Sequence, residues 1–111
     1  MVIQTWHGNT IIVDLPPEPN IREHLDRIIR IIAEGNAGDI VLDFSAVSVA
    51  NSMSLSGLLQ LRKILAESGR RLILCNVSPM TQKIFNVTCL DSNFEFASDK
   101  SAALLSIEGT K

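Results

Sequence analysis

The hexapeptide DIVLDF at residues 39–44 constrains this chain more than any other feature. A β-strand sends successive side chains to opposite faces. Apolar residues at the consecutive positions Ile40, Val41 and Leu42 therefore require a strand covered on both sides, as in the middle of a parallel sheet. RRLILC at residues 70–75 repeats the pattern. Between the two runs, Gly57, Leu58, Leu61, Ile64 and Leu65 recur at helical spacing, leaving Gln60, Arg62, Lys63 and Glu67 for water. A strand, an amphipathic helix and a second buried strand predict a parallel pair joined by a right-handed crossover.

The rest of the chain extends that unit. VIQTW and TIIVDL flank HGN, where Gly8 and Asn9 tolerate positive φ, which predicts an N-terminal β-hairpin. PPEP at residues 16–19 stiffens the exit. Asn20 as N-cap with Glu23 three residues on reads as a capping box, and Ile21, Leu25, Ile28, Ile29 and Ile32 form one apolar stripe ending near Gly35. Ser78 with Pro79 opens a third helix, FEF at 94–96 is a short strand, and Ser98 followed by Asp99 starts a closing helix through Leu105. The expected architecture is α/β: a mixed, mostly parallel sheet with an N-terminal hairpin and about four flanking helices. Its core is expected to hold Ile28, Ile29, Ile40, Leu42, Leu58, Leu61, Leu65, Leu72 and Leu74.

Composition narrows the function classes. The 111 residues carry a net charge of −2 without a basic stripe, which argues against nucleic acid and anionic membrane surfaces as partners. No apolar run approaches the ~18 residues of a membrane span, and no signal-like segment starts the chain, so an unprocessed, cytoplasmic single domain over residues 1–111 is expected. Cys75 and Cys89 have no metal or redox spacing and read as buried fillers. No metal site and no cofactor are expected. A serine enzyme needs a base; the two histidines, His7 in the hairpin turn and His24 on the first helix, have no evident route to a reactive serine, and neither a nucleophile elbow nor a Gly-rich phosphate loop is present.

One stretch still asks for a role. VSVANSMSLSGLL, residues 47–59, lies at the carboxyl end of the central strand, where open α/β sheets keep their sites. Ser52 reads as an N-cap or first-turn residue. A helix N-terminus also stabilises a phosphate through its N–H groups and dipole, so a hydroxyl there can carry one without melting the fold.

The order IVLDFSAVSVANSMSLSGLLQLRKIL, then GRRLILCNVSPMTQKIF, then a short strand and a closing helix, from about Asp39 to Leu105, resembles the STAS domain, the anti-sigma factor antagonist family. In the bacterial antagonists of that family, an acidic residue precedes a Ser or Thr that a partner serine kinase phosphorylates, and Ser-Gly-Leu commonly follows. By this resemblance Asn51 stands for the acid, Ser52 for the phosphorylated residue, Met53 and Ser54 for Ser-Gly, and Leu55 for the Leu. Asp43 matches an acidic or polar position at the end of the preceding strand. Two departures stand out: Asn51 has the size of Asp without its charge, and Met53 is large and apolar.

The resemblance implies a bacterial, cytoplasmic partner switch in transcription regulation. The unmodified chain would bind a serine kinase/anti-sigma factor of the histidine-kinase-like ATPase type through Asn51, Ser52, Met53, Ser54 and Leu55. Phosphorylation of Ser52 would abolish binding by charge and bulk, and a phosphatase would reset it. Catalysis would lie in the partners, so this chain is not expected to be an enzyme. Ser54 and Ser56 are rival acceptors, less available as helix residues. A second reading is a STAS subunit that meets no kinase and regulates the ATPase of an ABC-type lipid transporter; the missing acid at Asn51 favours it.

Overall fold

A computed structural model describes residues 3–35 and 38–109, with residues 3–7 as backbone only. Strands β1 (Ile3–His7) and β2 (Thr10–Asp14) form an antiparallel hairpin with His7 opposite Thr10. Its two-residue turn depends on Gly8, whose φ of 63° lies in the left-handed region that Gly occupies without steric cost. Helix α1 (Ile21–Ala33), β3 (Asp39–Asp43), α2 (Ser52–Glu67), β4 (Leu72–Cys75), α3 (Pro79–Val87), β5 (Glu95–Ala97) and α4 (Lys100–Glu108) follow, with a 3-10 turn at Asp91–Asn93.

The strands lie in chain order, β1-β2-β3-β4-β5, and β2 through β5 are parallel. Right-handed crossovers that always advance in one direction deliver their helices to one face. Ile11, Val13, Ile40, Leu42, Leu72 and Leu74 accordingly share the larger core with Ile21, Leu25 and Ile28 of α1, Leu58, Leu61 and Leu65 of α2, and Phe85 of α3. The alternate residues Val41, Ile73 and Cys75 meet Ala103 and Ile107 of α4, the only helix on the other face among the described residues. Ile40, Val41 and Leu42 are all fully buried, because β3 lies third of five strands with cover on both sides. The mixed sheet, the hairpin and the four helices agree with the expected architecture.

Local details differ. Ile29 is only partly buried at the edge of the core, since a residue next to Ile28 is turned 100° from the stripe. The Asn20–Glu23 box does not form: Asn20 has helical φ and ψ (−90°, 0°) and its side chain caps nothing. A side-chain cap needs an extended backbone at that position. Glu23 pairs with Arg27 instead, at 2.9 Å. Of the Ser98–Asp99 pair expected to start α4, Asp99 is the cap, accepting from the Ala102 N–H at 2.8 Å, and the helix runs past Leu105 to Glu108. Cys75 is buried as expected, but Cys89 is exposed. It occupies the left-handed position after α3 (φ 60°), where its N–H bonds Asn86 O and the next N–H, Leu90, returns to Phe85 O. That closing motif usually employs Gly.

Helices α1 and α2 approach closely at Gly57. A Cβ there would lie 3.0 Å from both Arg22 Cδ and Leu25 Cδ1. The contact fixes the first turns of α2 against α1 and the loop before it.

Candidate functional site

The segment from Ser45 to Asn51 carries the chain from the end of β3 to α2. Phe44, Val47 and Ala50 bury their side chains, at 1%, 2% and 3% exposure, which pins the loop from below. From the side, Ser78 caps α3 by accepting from Thr81 N–H at 3.1 Å, as expected, and donates its own O–H to Ser48 O at 2.7 Å. The loop is thus anchored to the sheet, the core and α3 before α2 begins.

Asn51 is the cap of α2. Its backbone is extended (φ −87°, ψ 174°) and its Oδ1 accepts from Ser54 N–H at 2.9 Å. Ser52, for which a capping role was one expectation, is the first helical residue, and its side chain is exposed. The N–H groups of Ser52 and Met53 have no acceptor among the described residues, as the first turn of a helix dictates. Met53 is 65% exposed, whereas Ser54 is fully buried. Leu55 is half-buried against the core, and Ser56 is exposed one turn into the helix.

The proline-rich segment before α1 supplies what residue 51 lacks. Glu18 Oε2 accepts from the Asn51 N–H at 2.6 Å and from the Ser54 O–H at 2.7 Å, placing a carboxylate against the α2 N-terminus. Negative charge is favoured there by the unpaired N–H groups and the helix dipole. Arg22 braces the same junction, donating from Nη1 to Met53 O (3.3 Å) and from Nη2 to Gln60 Oε1 (3.0 Å). Neither residue stands out in the sequence, because 31 to 38 positions separate the partners. The one available signal was a lone acid among prolines.

The structure brings Asn51, Ser52, Met53, Ser54 and Leu55 together on one helix turn, but Asp43 stands apart from them. Its side chain faces the α4 side of the sheet, where Oδ1 accepts from the Ser45 N–H (2.8 Å), Ser45 O–H (2.5 Å) and Asn76 amide (3.2 Å), and Oδ2 lies 3.4 Å from Lys100 Nζ. Burial acts to raise its pKa, but these donors outweigh it and hold the carboxyl below the ordinary 3.8. Asp43 therefore organises the strand end and the adjoining cleft beside Asp14 and Lys100. His24 is buried, and its Nδ1–H donates to Asn20 O at 2.8 Å within α1. The side chain of His7 lies outside the described residues. Among the described residues no group of three or more His, Cys, Asp or Glu is placed to hold a metal ion, and no helix is long and apolar enough to cross a membrane.

The described residues form a four-helix α/β domain whose parallel strands end beneath a serine-bearing helix N-terminus. The family profile described as the STAS domain matches residues 18–103, and the chain belongs to that family. Solved structures agree on the fold. A Thermotoga maritima protein described as an anti-sigma factor antagonist superposes with a TM-score of 0.87 at 18% identity, covering 97% of this chain and 95% of its own. RsbS of Moorella thermoacetica gives 0.85 at 14% identity, over 98% and 96%. The Bacillus cell-fate determinant SpoIIAA, in its phosphorylated form, gives 0.72 at 19% identity, over 100% of both chains. No curated protein matches the sequence.

Proposed function

We propose that this STAS domain is a partner-switching regulator of the anti-sigma factor antagonist type, controlled by phosphorylation of Ser52. The observation that carries the reading is the contrast between neighbouring serines. Ser52 presents an exposed side chain at the first position of α2, while the rival Ser54 is fully buried with its hydroxyl committed to Glu18. Ser56 is exposed but lies a turn inside the helix, away from the open N–H groups. Transfer from ATP would form an Oγ–P bond at Ser52, break the bridging P–O bond of the γ-phosphate, and release ADP and the hydroxyl proton. The N–H groups of Ser52 and Met53 are then at hand for the phosphate oxygens. All of that chemistry belongs to a serine kinase/anti-sigma factor of the histidine-kinase-like ATPase type, and a phosphatase reverses it; this chain supplies the hydroxyl and the surface.

That surface has apolar anchors. Val49 in the loop, Met53 on α2 and Met80 on α3 are exposed, and the Ser48 carbonyl ties the loop to the start of α3. Exposed methionines adapt to a partner's contours. A phosphate bringing about −1.5 to −2 charges among them penalises docking through repulsion and desolvation. The neutral Asn51 speaks for the other reading, a transporter-associated STAS subunit that meets no kinase, but the Glu18 carboxylate supplies a negative charge at the same helix terminus.

The test is phosphorylation by the cognate kinase with ATP, read by mass spectrometry, and titration calorimetry against the unmodified partner. One phosphate is expected, absent in Ser52→Ala, with Ser52→Ala binding as the wild type does and Ser52→Asp binding more weakly. Phosphate on Ser54 or Ser56 with Ser52 unmodified, or equal affinities for Ser52→Ala and Ser52→Asp, would overturn the proposal.

A further inference from the structure

The segment from Pro16 to Asn20 does more than connect β2 to α1. Glu18 reaches across to α2 and spends one carboxylate oxygen on two donors, the Asn51 N–H and the Ser54 O–H. Its second oxygen, Oε1, is buried with no hydrogen-bond partner among the described residues. A buried carboxylate oxygen without a donor is unfavourable. The two charge-assisted bonds to Oε2 and the positive end of α2 are what hold it there. The grip is thus a balance between opposing terms, and it lies on both sides of Ser52 in sequence.

We propose that Glu18 is the positioning acid of the Ser52 site, supplied from the β2–α1 segment in place of an acid at position 51, and that its hold on α2 is a latch that phosphate on Ser52 opens. The inference rests on Ser52 as the modified residue.

The opening follows from competition for one helix terminus. Phosphate carries about −1.5 to −2 charges against the single charge of Glu18, and three strong acceptor oxygens against one engaged oxygen. The unpaired N–H groups of Ser52 and Met53 serve the phosphate directly, while like-charge repulsion acts on Glu18 from one residue away. The Ser54 N–H stays bonded to Asn51 Oδ1, so the helix keeps its cap when the latch lets go. Release frees residues 16–20 from α2 and exposes the Ser54 hydroxyl. Phosphorylation then changes the shape of the surface beside Ser52 as well as its charge.

The test uses the full chain with phosphoserine installed at position 52 by genetic code expansion, compared with unmodified protein by amide hydrogen exchange in NMR. After correction for neighbouring side chains, the Asn51 amide should exchange about tenfold faster or more on modification, as expected for loss of a hydrogen bond to a charged acceptor, while the Ser54 amide keeps its protection. Glu18→Ala should reproduce the Asn51 acceleration without phosphate, and phosphoserine added to that variant should accelerate Asn51 no further. Unchanged Asn51 protection on modification overturns the latch. So does parallel loss at Asn51 and Ser54, which would be fraying of the helix, and so do additive effects of phosphate and Glu18→Ala. The amides of Ile40 and Leu74 report whether each variant is folded, and the phosphoserine comparison decides alone if Glu18→Ala is not. No kinase enters this experiment, so a kinase that ignores Ser52 would refute the partner-switch reading in its own assay without deciding this one.

Discussion

Asn51→Asp restores the acid that the family pattern has before the serine, and the structure predicts that it destabilises the protein. Asp and Asn cap helices about equally well, so the cap itself neither gains nor loses. A charge at the α2 N-terminus gains about 0.3–1 kcal/mol from the dipole. Against this stands Glu18, whose Oε2 already bonds the residue-51 N–H and the Ser54 hydroxyl. Two carboxylates about 5 Å apart repel by about 1–3 kcal/mol at effective dielectrics between ~80 and ~20. Partial exposure favours the lower part of that range, leaving a net loss of about 1 kcal/mol. In a Glu18→Gln background the repulsion is gone and Asn51→Asp should instead gain the dipole term. Urea unfolding of the four proteins forms a double-mutant cycle with an expected coupling of about 1–2 kcal/mol, reduced in 1 M salt where the screening length falls to ~3 Å. An Asn51→Asp protein as stable as the wild type, or equal effects in both backgrounds, would refute the placement of Glu18 charge at this terminus.

Leu61, fully buried between α2 and the sheet, should cost about 2–5 kcal/mol when truncated to Ala, measured by urea unfolding; a loss below about 0.5 kcal/mol would mean that α2 turns another face inward. Iodoacetamide at pH 8 should label the exposed Cys89 and spare Cys75 in the native protein, because burial, reinforced by the Asp43 charge and only partly offset by Lys100, pushes the Cys75 thiol up to about 12; labelling of Cys75 ahead of Cys89 would contradict this. For Asp43, the folded carboxyl titrates below its ordinary 3.8, so the stability it contributes is present above that value and is lost as pH falls through the lower, folded one. Asp43→Asn should therefore unfold at lower urea than the wild type at pH 7, with the gap narrowing below pH 3.8; a gap that stays constant down to pH 2.5 would refute the assignment.

The architecture was legible in the sequence because it rests on local periodicity. Three consecutive buried residues in β3 announced cover on both faces, and the Leu58, Leu61 and Leu65 spacing placed α2 between two parallel strands. Ser52 at the start of α2, and Ser78 with Pro79 at the start of α3, followed from residue preferences that act over three or four positions. Where such preferences compete, sequence alone could not choose. Asn20 and Asn51 are the same residue type before two helices, yet only Asn51 has the extended backbone that lets its side chain cap. Asp43 was grouped with the serine segment by its place at a strand end, but strand parity turns it toward α4 and Lys100. The charge beside Ser52 was beyond any local pattern: Glu18 reaches Asn51 and Ser54 across 33 and 36 positions only because the β2–α1–β3 crossover folds the proline segment over the end of the next helix. Hydrophobic periodicity is a property of neighbours along the chain and so determined the elements and their buried faces. Which carboxylate meets which hydroxyl depends on distances between elements that exist only once the sheet has brought them together, and that the tertiary structure alone decided.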